Sequence, residues 1–277
     1  MNISIFPSVM RGFALAGIAL AVSSQAHAQY IPDFNTFSGN NSLSGQKQSD
    51  PVELQWQTTD ANAANYVGVI PGYSTSGSDY WAGIGGLFNA APSATTVDLW
   101  RTFALPDGGN AGVFQTKFAI TSPQSPRTNQ DSFSWKFRTA AGADIASVDF
   151  VPLNGTTLKL NWSNNSTQTT TAFGISYDSI YTISAVVSGL GTDPKLFVSI
   201  TDSLGNTTTT VNNVALAPVT PTGIGQVAAS WKLADTTANY GSNTMVFQNY
   251  SVVPEPGAIL LLGFAGGAFA VSRLRRK

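Results

Sequence analysis

The chain has 277 residues, no cysteine, one histidine and only 10% charged residues, against about 25% in an average soluble domain. The missing cysteines exclude disulfides, thiolate metal sites and cysteine nucleophiles. A formal net charge of −1 argues against a nucleic-acid-binding protein, which carries a clustered basic excess. The hydrophobic content of 43% indicates a packed core.

Residues 1–28 have the features of a secretory signal peptide. Arg11 is followed by an apolar run of 11 residues, and the small residues Ala26 and Ala28 precede a cleavage bond at Gln29. An N-terminal membrane helix is the alternative, although this run is shorter than the about 20 residues that span a bilayer. The only histidine lies before the cleavage bond. Removal by signal peptidase would therefore exclude Ser-His-Asp catalysis and histidine metal sites.

The C-terminal segment 254–277 combines three features in a fixed order. Pro254, Glu255 and Pro256 come first, the apolar run 257–272 follows, and the basic tail 273–277 comes last. A helix of that apolar length is about 24 Å long, which is short for a bilayer unless the arginines snorkel. The basic tail is expected on the cytoplasmic side, with the preceding residues outside. The prolines disfavour regular helix and sheet, so we expect extended backbone that a protease can bind.

This segment resembles the PEP-CTERM sorting signal of Gram-negative bacteria. The resemblance implies that Pro254, Glu255 and Pro256 are recognised by an exosortase, a membrane cysteine protease that removes the tail. Proteins of that family accompany exopolysaccharide and biofilm formation. A plain membrane anchor is the alternative. We therefore expect an exported protein of the cell surface or extracellular matrix, held in the inner membrane until its tail is removed.

Residues 29–253 show a hydrophobic period of two, which is typical of strands. The alternation is clearest in three runs, in which the residues of one face are Phe133, Trp135 and Phe137; Leu196, Val198 and Ile200; and Met245, Phe247 and Asn249. Turns rich in glycine, asparagine and proline separate the runs. This pattern predicts an all-β domain, an antiparallel two-sheet β-sandwich or jelly roll. A signal helix and a short transmembrane helix would flank it.

The second half of this domain resembles the concanavalin A-like lectin/glucanase fold, in its laminin-G-like variety. The resemblance is carried by the strands at 132–139, 179–188, 195–202 and 243–250. It implies a sandwich that binds or cleaves glycans. Glucanases of that superfamily use paired carboxylates, commonly two glutamates on one strand with an aspartate between them.

The domain lacks that carboxylate pattern. Glu53 is its single glutamate, and Asp144 and Asp149 are five residues apart, which would place them on opposite faces of a regular strand. Polysaccharide lyases of this fold use arginine, histidine and tyrosine, of which the domain offers Arg101, Tyr177 and Tyr181. We therefore expect no catalysis, with a tyrosine–arginine lyase site as the alternative.

Exposed aromatic side chains are the predicted carbohydrate contacts. Tyr73, Tyr80 and Trp81 lie in the Gly/Ser-rich stretch 71–86, and Trp162 stands among asparagines. Ring faces of this kind stack on sugars when amides or carboxylates are close by. The alternative is that these side chains fill the core of the sandwich.

A calcium site is the one metal site that the sequence suggests. Asp178, Asp193, Asp202 and Asn206 could meet at a rim of the sandwich and supply hard oxygen ligands. Solvated loop carboxylates are the alternative, and no other cofactor is expected. Three functions remain open: a sorted matrix protein that binds extracellular polysaccharide without catalysis, a discrete lectin-like module, and a glycan-cleaving enzyme.

Overall fold

The computed structural model describes residues 29–31, 55–59, 67–71, 80–86, 96–102, 111–123, 130–164, 168–189, 193–216, 224–234 and 243–254. In these residues the chain forms fifteen β-strands. The first eight are β1 (Gln29–Ile31), β2 (Gln57–Thr58), β3 (Val67–Pro71), β4 (Tyr80–Gly85), β5 (Thr96–Thr102), β6 (Ala111–Ile120), β7 (Ser132–Arg138) and β8 (Asp144–Pro152). The others are β9 (Thr157–Ser163), β10 (Gln168–Ser176), β11 (Tyr181–Ser188), β12 (Lys195–Asp202), β13 (Thr207–Ala215), β14 (Gln226–Lys232) and β15 (Thr244–Pro254).

The strands form two antiparallel sheets, which confirms the predicted all-β sandwich. Sheet 1 has the order β13-β12-β11-β6-β15-β4-β3, and β1 pairs with β15 as an eighth strand. Sheet 2 has the order β10-β9-β8-β7-β14-β5-β2. The chain passes repeatedly from one sheet to the other, so that β14 lies between β7 and β5, and β15 lies between β6 and β4. All of these strands belong to the compact unit Ala28–Glu255.

Aromatic side chains from both sheets form the centre of the core. Trp135 of sheet 2 contacts Phe114 and Phe247 of sheet 1, with ring centroids 5.0 and 5.1 Å apart. Tyr250 is fully buried, and its hydroxyl donates to the Val227 carbonyl across the sandwich at 3.1 Å. Aromatic pairs at these distances stabilise a core beyond the area that they bury. The predicted apolar faces of β7 and β12 are confirmed by their burial.

The predicted alternation is wrong at the end of β15. Met245 and Phe247 face the core, but Asn249 does not, because the pairing with β6 shifts between Gln248 and Ser251. Asn249 takes a left-handed conformation with φ of 52°, as the extra residue of a β-bulge often does. The bulge turns Tyr250, rather than Asn249, into the core.

A second bulge overturns the expectation for Asp144 and Asp149. Ile145 and Ala146 are both buried, and the pairing of β8 with β7 shifts at this point. A bulge adds one residue to a strand and so reverses the alternation beyond it. Both aspartates therefore lie on the outer face of sheet 2, where Asp144 accepts a hydrogen bond from Arg138.

The predicted targeting segments lie mostly outside the described residues. The signal peptide 1–28, with Ala26 and Ala28, is outside them, and so is the part of the sorting signal from 255 to 277, with Glu255 and Pro256. Gln29 begins β1, and Pro254 ends β15 opposite Gly112, so the expectation of non-sheet backbone is wrong at Pro254. Proline is tolerated at a strand end, where a ladder hydrogen bond from its nitrogen is not needed. The described residues include no helix long and apolar enough to cross a membrane.

Candidate functional site

The outer face of sheet 2 carries a cleft of about 400 Å³, here called the sheet-face cleft. Five strands contribute to it, since β5, β7, β8, β10 and β14 each supply at least one lining side chain. The polar lining consists of Thr96, Ser132, Ser134, Lys136, Asp149, Gln168, Ser230 and Lys232. Side chains on this face point away from the core because the alternate positions of the same strands are buried in it.

Strand register places five polar side chains in one row across this face. The row runs over neighbouring strands through Asn161, Asp149, Ser134, Ser230 and Asp98, each paired directly with the next. The sequence separates these residues widely, so only the pairing of β9, β8, β7, β14 and β5 brings them together. Hydroxyl, amide and carboxyl groups therefore stand about 5 Å apart along a rigid sheet.

An ion-pair network holds one end of the row. Asp98 accepts from Lys136 Nζ at 3.1 Å and from Arg138 Nη2 at 2.6 Å. Arg138 also donates through Nε to Asp144 at 2.6 Å. Burial raises the pKa of the Asp98 carboxyl, but the charges of Lys136 and Arg138 and their hydrogen bonds outweigh it, so that this pKa lies below its ordinary value. Asp98 is therefore a fixed anion that orients both cations.

Asp149 has the opposite character. Burial raises the pKa of its carboxyl above the ordinary value, against the weaker effects of hydrogen bonds from Gln168 and Ser147 and of the charge on Lys136. Gln168 Nε2 donates to Asp149 Oδ2 at 3.1 Å, and Ser147 Oγ donates to the same oxygen at 3.2 Å. Both donors are neutral and bond the same oxygen, Oδ2. The carboxyl can therefore accept a hydrogen bond from a ligand and, when protonated, donate one.

Asp98 and Asp149, the two carboxylates of the polar row, do not form a hydrolytic pair. Asp149 and Asp98 are three strand spacings apart in the row, which is about 14 Å between their backbones. The two carboxyl groups of a glycosidase are about 5 to 10 Å apart, and one of them needs a raised pKa. Asp98 and Asp144 share the guanidinium of Arg138, which holds Asp98 ionised. Among the described carboxylates of this face, Asp149 is thus the one with a raised pKa, and it lies too far from Asp98 to form such a pair with it.

Trp100 is an aromatic residue on this face that the sequence analysis did not select. It lies half-buried on β5, in the same cross-strand row as Lys136, and the small Ala228 stands between them. Its indole Nε1 has no hydrogen-bond partner among the described residues. Asp98 and Thr102, two positions before and after Trp100 and therefore on the same strand face, were the available signal that Trp100 does not belong to the core.

The predicted aromatic contacts are mostly buried residues. Trp81 is fully buried against Ala119 and Val246, and Trp162 belongs to the main core, so neither ring presents a face to a ligand. Tyr80 is half-buried and packs against the main core. Tyr73 lies outside the described residues. Trp162 shows the core alternative, whereas Trp81 is buried in a separate cluster on the outer face of sheet 1.

The residues proposed for a lyase site are not brought together on one surface. Arg101 is buried in the core, 5.7 Å above the Trp56 ring. Tyr177 is also buried, and burial raises its pKa to about 12, with a further contribution from the charge of Asp131. Tyr181 is half-buried, and its hydroxyl accepts from the Ser176 N–H at 3.1 Å.

The four predicted calcium ligands do not converge. Asp202 pairs with Tyr181 at one end of the β11–β12 hairpin, whereas Asp193 precedes Lys195 at the other end, about 20 Å away along the strands. Asp202 accepts from the Asn206 amide and from backbone N–H groups, and these bonds lower its pKa. Asp178 accepts from the Ser122 N–H. The described residues contain no cluster of three or more acidic or histidine side chains that could hold a metal.

Comparison with known proteins supports the fold. No protein family model and no curated protein sequence matches the chain. The catalytic domain of a glycoside hydrolase family 131 protein from Coprinopsis cinerea is similar in structure, with a TM-score of 0.51 and 12% identity over 82% of this chain and 96% of that domain.

Two further solved structures resemble the chain. The GH131 β-glucanase catalytic domain from Podospora anserina has a TM-score of 0.49 and 13% identity, covering 82% of this chain and 96% of its own. The lectin UEA-II, in complex with galactose, has a TM-score of 0.46 and 11% identity over 82% of this chain and 97% of the lectin chain. At these identities the comparisons show the fold alone: the chain is an all-β sandwich of two antiparallel sheets, similar to the Coprinopsis cinerea domain.

Proposed function

We propose that this chain is a carbohydrate-binding protein without catalytic activity, and that polysaccharide binds in the sheet-face cleft. The observation that carries the proposal is the polar row across five strands, at the centre of which Asp149, Ser134 and Ser230 line the cleft. Sugar hydroxyls both donate and accept hydrogen bonds; serine hydroxyls and side-chain amides can do both as well, and a carboxylate accepts them. Trp100 lies two residues beyond Asp98 and offers an aromatic surface beside the row.

The charges around the cleft suit a neutral sugar. Lys136 forms an ion pair with Asp98, and the other ionisable lining residues, Lys232 and Asp149, are of opposite types, one basic and one acidic. No large field of one sign is left to select a strongly charged ligand. Neutral hydroxyl groups therefore complement this cleft better than phosphate or carboxylate groups would.

Export and C-terminal processing complete the proposal. We infer that a signal peptidase removes residues 1–28 before Gln29 and that an exosortase recognises Pro254, Glu255 and Pro256. Support comes from the order of the apolar runs and the basic tail in the sequence. The mature chain would then act in the exopolysaccharide or biofilm layer at the surface of a Gram-negative bacterium. Mass spectrometry of the mature protein from its host tests this part, and an intact basic tail would contradict it.

Retention on polysaccharide tests the binding function. The purified protein is applied to an insoluble neutral β-glucan and to extracellular polysaccharide from the source bacterium, with and without calcium. We expect saturable retention that weakens at least about tenfold in Asp149→Ala, because a half-buried hydrogen-bonding group of the site is lost. Asp193→Ala is the matched control, since Asp193 is an exposed carboxylate outside the cleft. Equal binding by both variants would refute the site, and shortened polymer chains would refute the absence of catalysis.

A further inference from the structure

The opposite side of the sandwich has its own polar cleft, on the outer face of sheet 1. This bulge cleft has a volume of about 280 Å³ and is lined by Gln115, Lys117, Thr182, Asn249 and Ser251. Three neighbouring strands supply these side chains, because β6 lies between β11 and β15. It shares no residue with the sheet-face cleft.

The β-bulge in β15 builds this cleft. Gln248 pairs with Lys117 and Ser251 pairs with Gln115, so two residues of β15 lie opposite the single residue Thr116. Asn249 is the extra residue, and its positive φ of 52° is a conformation that asparagine tolerates better than most side chains. The Thr116 hydroxyl donates to the Gln248 carbonyl at 2.8 Å, which stabilises the bulge from the buried side. An additional amide is thereby displayed on the outer face.

Lys117 gives the bulge cleft an uncompensated positive charge. No described carboxylate forms an ion pair with it, whereas Lys136 and Lys195 each have an aspartate partner. Its Nζ lies 5.7 Å from the centroid of the Trp81 ring, which orients the ammonium group by a cation–π contact. Gln115, Asn249, Thr182 and Ser251 surround this cation with neutral donors and acceptors.

We propose that the bulge cleft is a second binding site, specific for a sugar unit that carries a carboxylate, as in a polyuronate. Lys117 would pair with the carboxylate, and the amides and hydroxyls around it would bind the sugar hydroxyls. A neutral sugar would leave the ammonium group without a counter-charge, which is why the cleft favours an anionic unit. The proposal shares only the ligand class with the sheet-face cleft, and either site can exist without the other.

Polygalacturonate and its methyl ester test this site, because esterification replaces each carboxylate by a neutral methyl ester and leaves the rest of the sugar chain the same. We expect the purified full chain to bind polygalacturonate in about 50 mM salt and to bind the ester at least about tenfold more weakly. Lys117→Met removes the charge and keeps an aliphatic side chain over Trp81. We expect it to lose about tenfold in affinity for polygalacturonate, and Lys117→Arg to retain most of that affinity.

Lys195→Met is the matched control, since it removes one charge from the same sheet face outside the cleft. It should bind polygalacturonate as the unsubstituted chain does. The proposal is overturned if Lys117→Met binds as tightly as the unsubstituted chain, if both methionine variants weaken binding equally, or if the ester binds as well as the acid. If Lys117→Met does not fold, the comparison of the acid with its ester and the affinity of Lys117→Arg still test the proposal. Failure of the proposal for the sheet-face cleft is a separate result: Asp149→Ala would then bind neutral β-glucan as well as the unsubstituted chain does.

Discussion

The contrast between Asp98 and Asp149 gives the sharpest test of the electrostatics on the outer face of sheet 2. The two aspartates lie in one cross-strand row, and the same change to asparagine at each position should have different effects on stability. Asp98→Asn leaves Lys136 and Arg138 without their shared anion. Asp149→Asn replaces a carboxyl whose charged form is already disfavoured by burial.

The expected loss for Asp98→Asn follows from burial. Removing one partner of a buried ion pair costs about 3 to 5 kcal/mol. The side chains of Asp98, Lys136 and Arg138 are 12, 20 and 11% exposed, so some solvent screening remains, and asparagine keeps one acceptor oxygen. We therefore expect about 2 to 3 kcal/mol of lost unfolding free energy, which is about 1 M in the urea midpoint. Asp149→Asn should leave the unfolding free energy at pH 7 unchanged or slightly higher.

Urea unfolding at several pH values is the assay. The pKa of Asp98 lies below its ordinary value of 3.8 in the folded chain, so its ionised form stabilises the fold above that pH. This contribution disappears as the pH falls through the lower, folded-state pKa. The gap between the unsubstituted chain and Asp98→Asn should therefore be full at pH 7 and narrow in acid. A gap that is absent at pH 7, or equally large for Asp149→Asn, would refute the reasoning.

Three further substitutions test the packing. Trp135→Ala should cost about 3 to 5 kcal/mol in thermal unfolding because it empties the centre of the aromatic core, and a loss below about 1 kcal/mol would contradict that packing. Tyr250→Phe removes only the hydrogen bond to Val227 and should cost about 1 kcal/mol in urea unfolding; no change would argue against that bond. Gly189→Ala should destabilise by at least about 1 kcal/mol, since Gly189 has φ of 67° and a Cβ there would meet the Asp193 carbonyl; unchanged stability would contradict this turn.

The strands could be predicted because their signal is local. Phe133, Trp135 and Phe137 alternate with polar residues, and this alternation alone indicates a strand with one buried face. The bulges at Ile145 and Asn249 could not be predicted in the same way. Each bulge depends on the register with a neighbouring strand, and a single extra residue exchanges the two faces of everything beyond it.

The sheet-face cleft escaped the sequence analysis for a related reason. Its row joins Asp149 of β8 to Ser230 of β14 and Asp98 of β5, and these strands are neighbours only through β7 and the order of sheet 2. The sequence around the aromatic residues was a poor guide to their exposure as well. Trp81 stands in a glycine-rich stretch, yet it is buried on the outer face of sheet 1 against Ala119 and Val246. These two residues lie on β6 and β15, so the sequence of β4 alone does not reveal the contact.

The central claim is tested most directly by calorimetric titration with a neutral oligosaccharide. The oligosaccharide is a soluble fragment of the polysaccharide on which the protein is retained. The unsubstituted chain and Lys117→Met should bind it with the same affinity, and Asp149→Ala should bind at least about tenfold more weakly while unfolding at a similar urea concentration. This result would place neutral sugar in the sheet-face cleft. Unchanged affinity in Asp149→Ala, or release of shorter sugars during the titration, would contradict the account of a non-catalytic carbohydrate-binding protein.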